Sequence, residues 1–176
     1  HYAEPEVAGR PALDRSYQFV TCIPACDEYD TLPDTLAHLA QVQEAKNSLV
    51  IVVINARGDA PERVHEANKS CADSLRRQAK LNDAPIAQGY LDGMGIIVVD
   101  RYSEHRRLPD RQGVGWARKM AVDLALAWIN DGSINSQWIW STDADVKVPR
   151  DYYVRAAAQD SKYSAQLFPF AHQFEG

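Results

Sequence analysis

The stretch LVIVVI, residues 49–54, is an uninterrupted run of aliphatic side chains. A strand with one face in water alternates apolar and polar residues. A strand of a parallel sheet is apolar throughout, because helices cover both of its faces. The run therefore predicts an inner strand of a mostly parallel sheet that lies between two layers of helices.

The segments on either side of this run continue an alternation of strands and helices. Further strands are predicted at residues 17–23 (YQFVTCI), 96–99 (IIVV) and 138–142 (WIWST). Apolar residues recur at helical spacing over residues 31–46, from Pro61 to Leu75, and over residues 114–129. The third helix is expected to bury Val114, Ala117, Ala121, Leu124, Ala125 and Trp128. This alternation predicts an α/β fold, a Rossmann-like three-layer αβα sandwich with a mostly parallel central sheet.

The size and composition of the chain are those of one globular domain. It has 176 residues, and its net charge of −5 gives no general attraction to nucleic acid or to an anionic membrane. No apolar run approaches the ~18 residues of a transmembrane helix. Three cysteines without zinc-ligand spacing fit reduced, intracellular thiols. We expect a polar leader at residues 1–16 and a single domain at residues 17–176.

Acidic or amide residues follow every predicted strand. The segments that contain them are Pro24-Ala25-Cys26-Asp27-Glu28 after the first strand, Asn55 after the second, Asp100 after the third and Asp143-Ala144-Asp145 after the fourth. Each of these taken alone is a common turn residue. Because parallel α/β sheets bind their ligands at the carboxyl ends of the strands, the four together predict a binding site at that edge.

Asp143 and Asp145 have the spacing of a cation site. Side chains at i and i+2 of an extended segment point to the same face, where two carboxylates repel unless a positive charge lies between them. Mg²⁺ or Mn²⁺ held by phosphate oxygens suits this pair. The alternative is a polar turn near Pro149, because a chain with sixteen aspartates contains such a triplet by chance.

A basic segment precedes the third helix. Residues 101–119 contain six lysines and arginines but only two acidic residues, and the segment reaches the helix start at Gly113-Val114-Gly115. A helix N-terminus with small residues and nearby arginine binds anions, which favours a phosphate role for Arg118 and Lys119. The alternative is a solvated basic loop.

Four segments of the chain resemble the family 2 glycosyltransferases, which have the GT-A fold. In the order of the family motifs, they are FVTCIPACDEYDTLPDTL, LVIVVINARGD, GVGWARKMAVDLAL and WIWSTDADVKVP. The resemblance spans about residues 17–155 and rests on the order and spacing of the motifs. It implies a GT-A-like fold and a metal-dependent, inverting transfer of a sugar from a nucleoside-diphosphate sugar to an acceptor.

The resemblance also implies which residues bind the donor. They are Pro24, Ala25, Asp27, Glu28, Asn55, Asp100, Arg118 and Asp143. The loop after the first strand and Asn55 would contact the base and ribose, Asp100 the base or sugar, and Arg118 the phosphates. Asp143 and Asp145 would hold Mn²⁺ or Mg²⁺ against the diphosphate. A UDP- or GDP-linked donor is expected, and the acceptor is not indicated.

The resemblance places the catalytic base beyond the metal motif, and no residue of the sequence is identified for that role. Glu175 is available, and His172 is either a third metal ligand or an ordinary surface or core histidine. We therefore expect the chain to be the donor-binding portion of a longer, cytoplasmic enzyme, with peripheral contact to the inner face of a membrane left open.

Three other function classes share features with this sequence. A non-catalytic nucleotide-binding or sugar-nucleotide-binding module has the same strand-end residues without turnover. A nucleotidyltransferase normally carries a glycine-rich basic loop after its first strand, whereas PACDEYD is acidic and lacks glycine. A dinucleotide-dependent oxidoreductase is less favoured still, because no G-x-G-x-x-G follows the first strand.

Overall fold

The computed structural model describes residues 3–157, 164–169 and 171. Within them the five strands are β1 (Phe19–Ala25), β2 (Ser48–Asn55), β3 (Ile86–Leu91), β4 (Met94–Arg101) and β5 (Trp140–Ser141). The four α-helices in the described ranges are α1 (Leu32–Leu39), α2 (Glu62–Gln78), α3 (Val114–Asn130) and α4 (Tyr152–Ala157). None of these helices is long and apolar enough to cross a membrane.

The strands form one mixed sheet in the order β3-β4-β2-β1-β5. β1, β2, β4 and β5 are parallel, and β3 runs antiparallel to β4 at the edge. The chain moves outward from β1 through β2 to β4, and then returns to place β5 on the other side of β1. The direction of strand addition therefore reverses between β1 and β5, which is the position where open α/β sheets form a ligand-binding crevice.

The central strand β2 is buried along its whole length, as its sequence predicts. Val50 and Val52 pack on one face of the sheet with α1, α2 and α4. Leu49 and Ile51 pack on the other face with α3. The predicted α/β class and mostly parallel sheet are confirmed, with helices on both faces.

The β3–β4 hairpin was not predicted, because β3 contains polar residues and glycine. Asp92 and Gly93 form its turn with positive φ angles of 51° and 86°, which is the geometry that a two-residue hairpin requires. Close packing explains two further glycines. A Cβ on Gly89 would lie 2.2 Å from the Ala79 carbonyl oxygen, and one on Gly95 would lie 2.4 Å from the Tyr17 hydroxyl.

Several predicted boundaries differ from the structure. α1 ends at Leu39 instead of residue 46, and β5 has two residues instead of five. The prediction that Val114 is buried was wrong, because it begins α3 and is 54% exposed. The sheet covers the later turns of α3, and the first turn lies beyond its edge, so that Val114 faces solvent.

The segment before β1 packs against α3 over the part that the structure describes. The backbone amide of Glu4 donates to Asp123 (2.9 Å), and Lys119 Nζ donates to the carboxylates of Glu4 (2.8 Å) and Asp123 (2.6 Å). The indole N–H of Trp128 donates to the Pro11 carbonyl (3.1 Å). These contacts attach part of the predicted leader to the domain.

Candidate ligand-binding site at the carboxyl end of the sheet

The loop after β1 is held by a buried asparagine of α2. Asp27 has a left-handed backbone (φ 66°), and its amide donates to Asn68 Oδ1 (2.9 Å). The side-chain nitrogen of Asn68 donates to the Asn55 carbonyl at the end of β2 (2.8 Å). One side chain thus fixes the β1 loop to the end of β2.

No role was predicted for Asn68 from the sequence, although its position in the helix pattern indicates one. It occupies an inward helical position between Val64 and Cys71, and it is only 1% exposed. A polar residue at such a position needs hydrogen-bond partners inside the protein. That requirement could have marked it as a residue that organises a loop.

The carboxylates of the β1 loop lie close to those of the β5 loop. Asp27 pairs with Arg63, and Glu28 accepts a hydrogen bond from the Thr31 hydroxyl. Burial raises the pKa of Glu28, and the negative charges of Asp145, Asp27 and Asp143 raise it further, while the bond from Thr31 opposes the shift. The two strand ends therefore share a negative field.

The loop after β5 is anchored at two backbone positions. The Thr142 amide donates to the Cys22 carbonyl of β1 (3.2 Å), and the Thr35 hydroxyl of α1 donates to the Ala144 carbonyl (2.8 Å). Ala144 is buried, while Asp143 and Asp145 on either side of it are exposed. The anchored backbone therefore presents both carboxylates to solvent.

Arg118 connects α3 to this loop. Its guanidinium pairs with the Asp143 carboxylate through Nη2. The side chains of Arg118 and Asp143 are 40% and 61% exposed. The structure thus brings together five of the predicted residues: Asp27, Glu28, Arg118, Asp143 and Asp145.

The remaining predicted residues face inward or support turns. Asn55 is 2% exposed, and its side-chain nitrogen donates to the carbonyls of Ala25 (3.0 Å) and Val53 (3.2 Å). Pro24 and Ala25 are buried within β1. In this structure Asn55 joins the ends of β1 and β2. Its predicted contact with the nucleotide base of a donor rests only on the family resemblance.

Asp100 organises the turn after β4. It accepts hydrogen bonds from the backbone amides of Tyr102 (3.2 Å) and Ser103 (2.9 Å), from the Ser103 hydroxyl (2.6 Å), and from Arg106 (3.0 Å). Partial burial opposes ionisation, but these bonds together lower the pKa of Asp100. Both of its oxygens are engaged within the turn, so a ligand at this position would compete with four donors.

The acidic edge can be compared with what a cation requires. Among the described residues, no group of three or more histidine, cysteine, aspartate or glutamate side chains is arranged to hold a metal ion. Mg²⁺ is nevertheless commonly held by one or two carboxylates together with water and phosphate oxygens. Asp143 and Asp145 fit that donor set. His172 and Glu175 lie outside the described residues.

Two cavities lie away from this edge. One, of about 70 Å³, is beside β5 and is lined by Trp138, Trp140, Tyr152 and Phe168 among others. The other, of about 370 Å³, is near the start of β1 and includes Gln18. The charged side chains gather at the open edge between β1 and β5 instead, so we place the candidate site there on its chemistry.

Comparison of the chain with protein-family models, curated proteins and solved structures finds no match. The resemblance to family 2 glycosyltransferases therefore rests on the order of its motifs and stays a prediction.

Proposed function

We propose that this chain is the donor-binding domain of a metal-dependent, inverting glycosyltransferase of the GT-A type. One observation carries the proposal. The loops after β1 and β5 are neighbours at the point where the strand order reverses, and Glu28 of the first lies within electrostatic range of Asp143 and Asp145 of the second. A nucleoside diphosphate bridged by a divalent cation matches a carboxylate-rich crevice of this kind.

Each element of the edge has a separate part in this proposal. Asp143 and Asp145 would hold Mn²⁺ or Mg²⁺, and the ion would supply a Lewis acid that stabilises negative charge on a nucleoside diphosphate. Arg118 binds a phosphate oxygen, and the β1 loop with Asp27 and Glu28 contacts the base and ribose. The acceptor hydroxyl is deprotonated by a carboxylate that the described residues do not identify.

Calorimetric titration with UDP and GDP, each in Mn²⁺ and in EDTA, tests the proposal. Asp143→Asn and Asp145→Asn are expected to abolish the metal-dependent part of the affinity, because each removes one anionic cation ligand while conserving size. Asp92→Asn is the matched control, since this exposed turn residue lies at the opposite end of the sheet and asparagine tolerates its positive φ.

The outcomes separate the possible functions. Metal-dependent binding that both site variants lose supports the donor site, whereas unchanged affinity in both would remove the metal assignment. Release of sugar from a UDP- or GDP-sugar, measured on the same samples, separates an enzyme from a non-catalytic binding module.

A further inference from the structure

The ion pair between Arg118 and Asp143 occupies one of the two carboxylates assigned to the cation. Asp143 is 61% exposed, and it is therefore accessible to a solvated ion. Its partner is a guanidinium on the second turn of α3. A cation that binds Asp143 must either share that carboxylate with Arg118 or displace the arginine.

The charge balance of the edge favours displacement. The four carboxylates of Asp27, Glu28, Asp143 and Asp145 are offset by two guanidinium groups, those of Arg63 and Arg118, which leaves a formal charge of −2. Arg57, which lies near Cys26, is already balanced by Asp59. A divalent ion neutralises the remaining charge, but at contact distance it repels a guanidinium on the same carboxylate.

The two partners differ in how firmly they are held. The backbone around Asp143 is fixed on both sides through Thr142 and Ala144. Arg118 reaches the carboxylate with the end of a long side chain that is 40% exposed, while its Nε is buried and has no hydrogen-bond partner among the described residues. The exposed end of the arginine is thus the part of the pair that can move, and a guanidinium released from Asp143 can donate to an anion.

We infer that Arg118 is an exchangeable counter-ion of Asp143: the cation displaces its guanidinium, which then binds the anionic group that arrives with the cation. This inference rests on the proposed function. It makes cation and nucleotide binding cooperative, because the guanidinium opposes the cation alone and assists the cation together with the diphosphate. In the proposed function Arg118 binds a phosphate oxygen. The inference adds that, without nucleotide, Arg118 competes with the cation for the Asp143 carboxylate.

The test measures Mn²⁺ binding by electron paramagnetic resonance, first without nucleotide and then with UDP or GDP. Arg118→Gln is expected to bind Mn²⁺ alone about two- to fivefold more tightly, because an exposed ion pair no longer competes for Asp143. The same variant is expected to bind the nucleotide with Mn²⁺ about tenfold more weakly, because a charge-assisted hydrogen bond is lost. Arg118→Lys keeps the positive charge. Its affinity for Mn²⁺ alone and its affinity for nucleotide with Mn²⁺ are both expected to lie between those of the wild type and those of Arg118→Gln.

Arg10→Gln is the matched control, because Arg10 pairs with Asp131 beyond the far end of α3 (3.0 Å) and its loss should change neither quantity. Equal or weaker Mn²⁺ affinity in Arg118→Gln would overturn the inference, as would the absence of Mn²⁺ binding to both proteins. If the wild type binds nucleotide with Mn²⁺ but the variant gains no affinity for Mn²⁺ alone, the proposed function stands without the exchange. If the variant gains Mn²⁺ affinity and no nucleotide binds, the competition for Asp143 stands, and the transfer of Arg118 to an anion is overturned together with the donor site.

Discussion

At the scale of the residue, the candidate site depends on which carboxylates reach solvent. Asp143 and Asp145 are exposed because Ala144 between them is buried and hydrogen-bonded through its carbonyl. Glu28 is half-buried beside three other carboxylates. The same edge therefore combines two exposed carboxylates with a glutamate whose ionisation is less favourable than that of a solvated glutamate.

This glutamate predicts a pH dependence of stability. Its pKa in the folded protein is raised above its ordinary value of 4.5, so the folded state binds the proton more tightly than the unfolded state does. The resulting stabilisation is complete at low pH and is lost as the pH rises above 4.5 through the folded-state pKa. Glu28→Gln removes this loss, because the amide carries no charge to desolvate or repel.

Urea unfolding from pH 4 to pH 8 measures the effect. The free energy of unfolding of Glu28→Gln, relative to the wild type, is expected to increase as the pH rises. Glu66→Gln, an exposed change on α2, is the control. A Glu28→Gln difference that is constant with pH would contradict the predicted direction. Saturating Mn²⁺ should reduce the difference if a cation neutralises the neighbouring carboxylates.

At the scale of the element, the position of the β1 loop is set by α2. Asn68 accepts from the Asp27 amide and donates to the Asn55 carbonyl, and Asn55 in turn joins the ends of β1 and β2. Three elements therefore converge on two buried amide side chains. The hydrogen bond to Asn68 supports the left-handed backbone of Asp27, a conformation that few residues other than glycine adopt.

Asn68→Ala is expected to lower the free energy of unfolding by about 1–3 kcal/mol, because it leaves a buried carbonyl and the Asp27 amide without their partner. Ser70→Ala, an exposed change on the same helix, is the control for helix propensity. Urea unfolding of both variants gives the difference. An Asn68→Ala midpoint equal to that of Ser70→Ala would mean that the loop is held by other contacts.

At the scale of the whole molecule, the segment before β1 is part of the packed structure. Val7 and Leu13 pack against the core on the α3 face. Glu6 pairs with Arg101 at the end of β4 (2.9 Å). The segment thus connects α3 to the end of β4.

Deletion of residues 1–12 is expected to destabilise the domain by about 1–3 kcal/mol, because it removes apolar contacts and the carbonyl that accepts from Trp128. Differential scanning calorimetry measures the loss. Glu4→Gln is the comparison, since it keeps the segment and weakens only the ion pair with Lys119. An unchanged unfolding temperature after the deletion would show that the segment contributes no stability.

The sequence by itself determined the class of fold and the edge at which to look. Continuous apolar runs and helical spacing are local properties, so β2 and α3 could be predicted from neighbouring residues alone. The acidic and amide residues after the strands followed from the same pattern. Of the β3–β4 hairpin only β4 was predicted, because β3 contains polar residues and glycine and is held in place by its pairing with β4.

Only the tertiary structure decided which strand-end residues lie together at the candidate site. In the sequence Asn55, Asp100 and Asp143 each follow a predicted strand, and nothing distinguishes them as ligand-binding residues. In the structure Asn55 is buried, Asp100 accepts hydrogen bonds within its own turn, and Asp143 is exposed. That division depends on strand order, which placed β5 beside β1, and on Arg118 and Asn68, which reach the loops from other elements. Such contacts join residues distant along the chain, and no local period of the sequence encodes them.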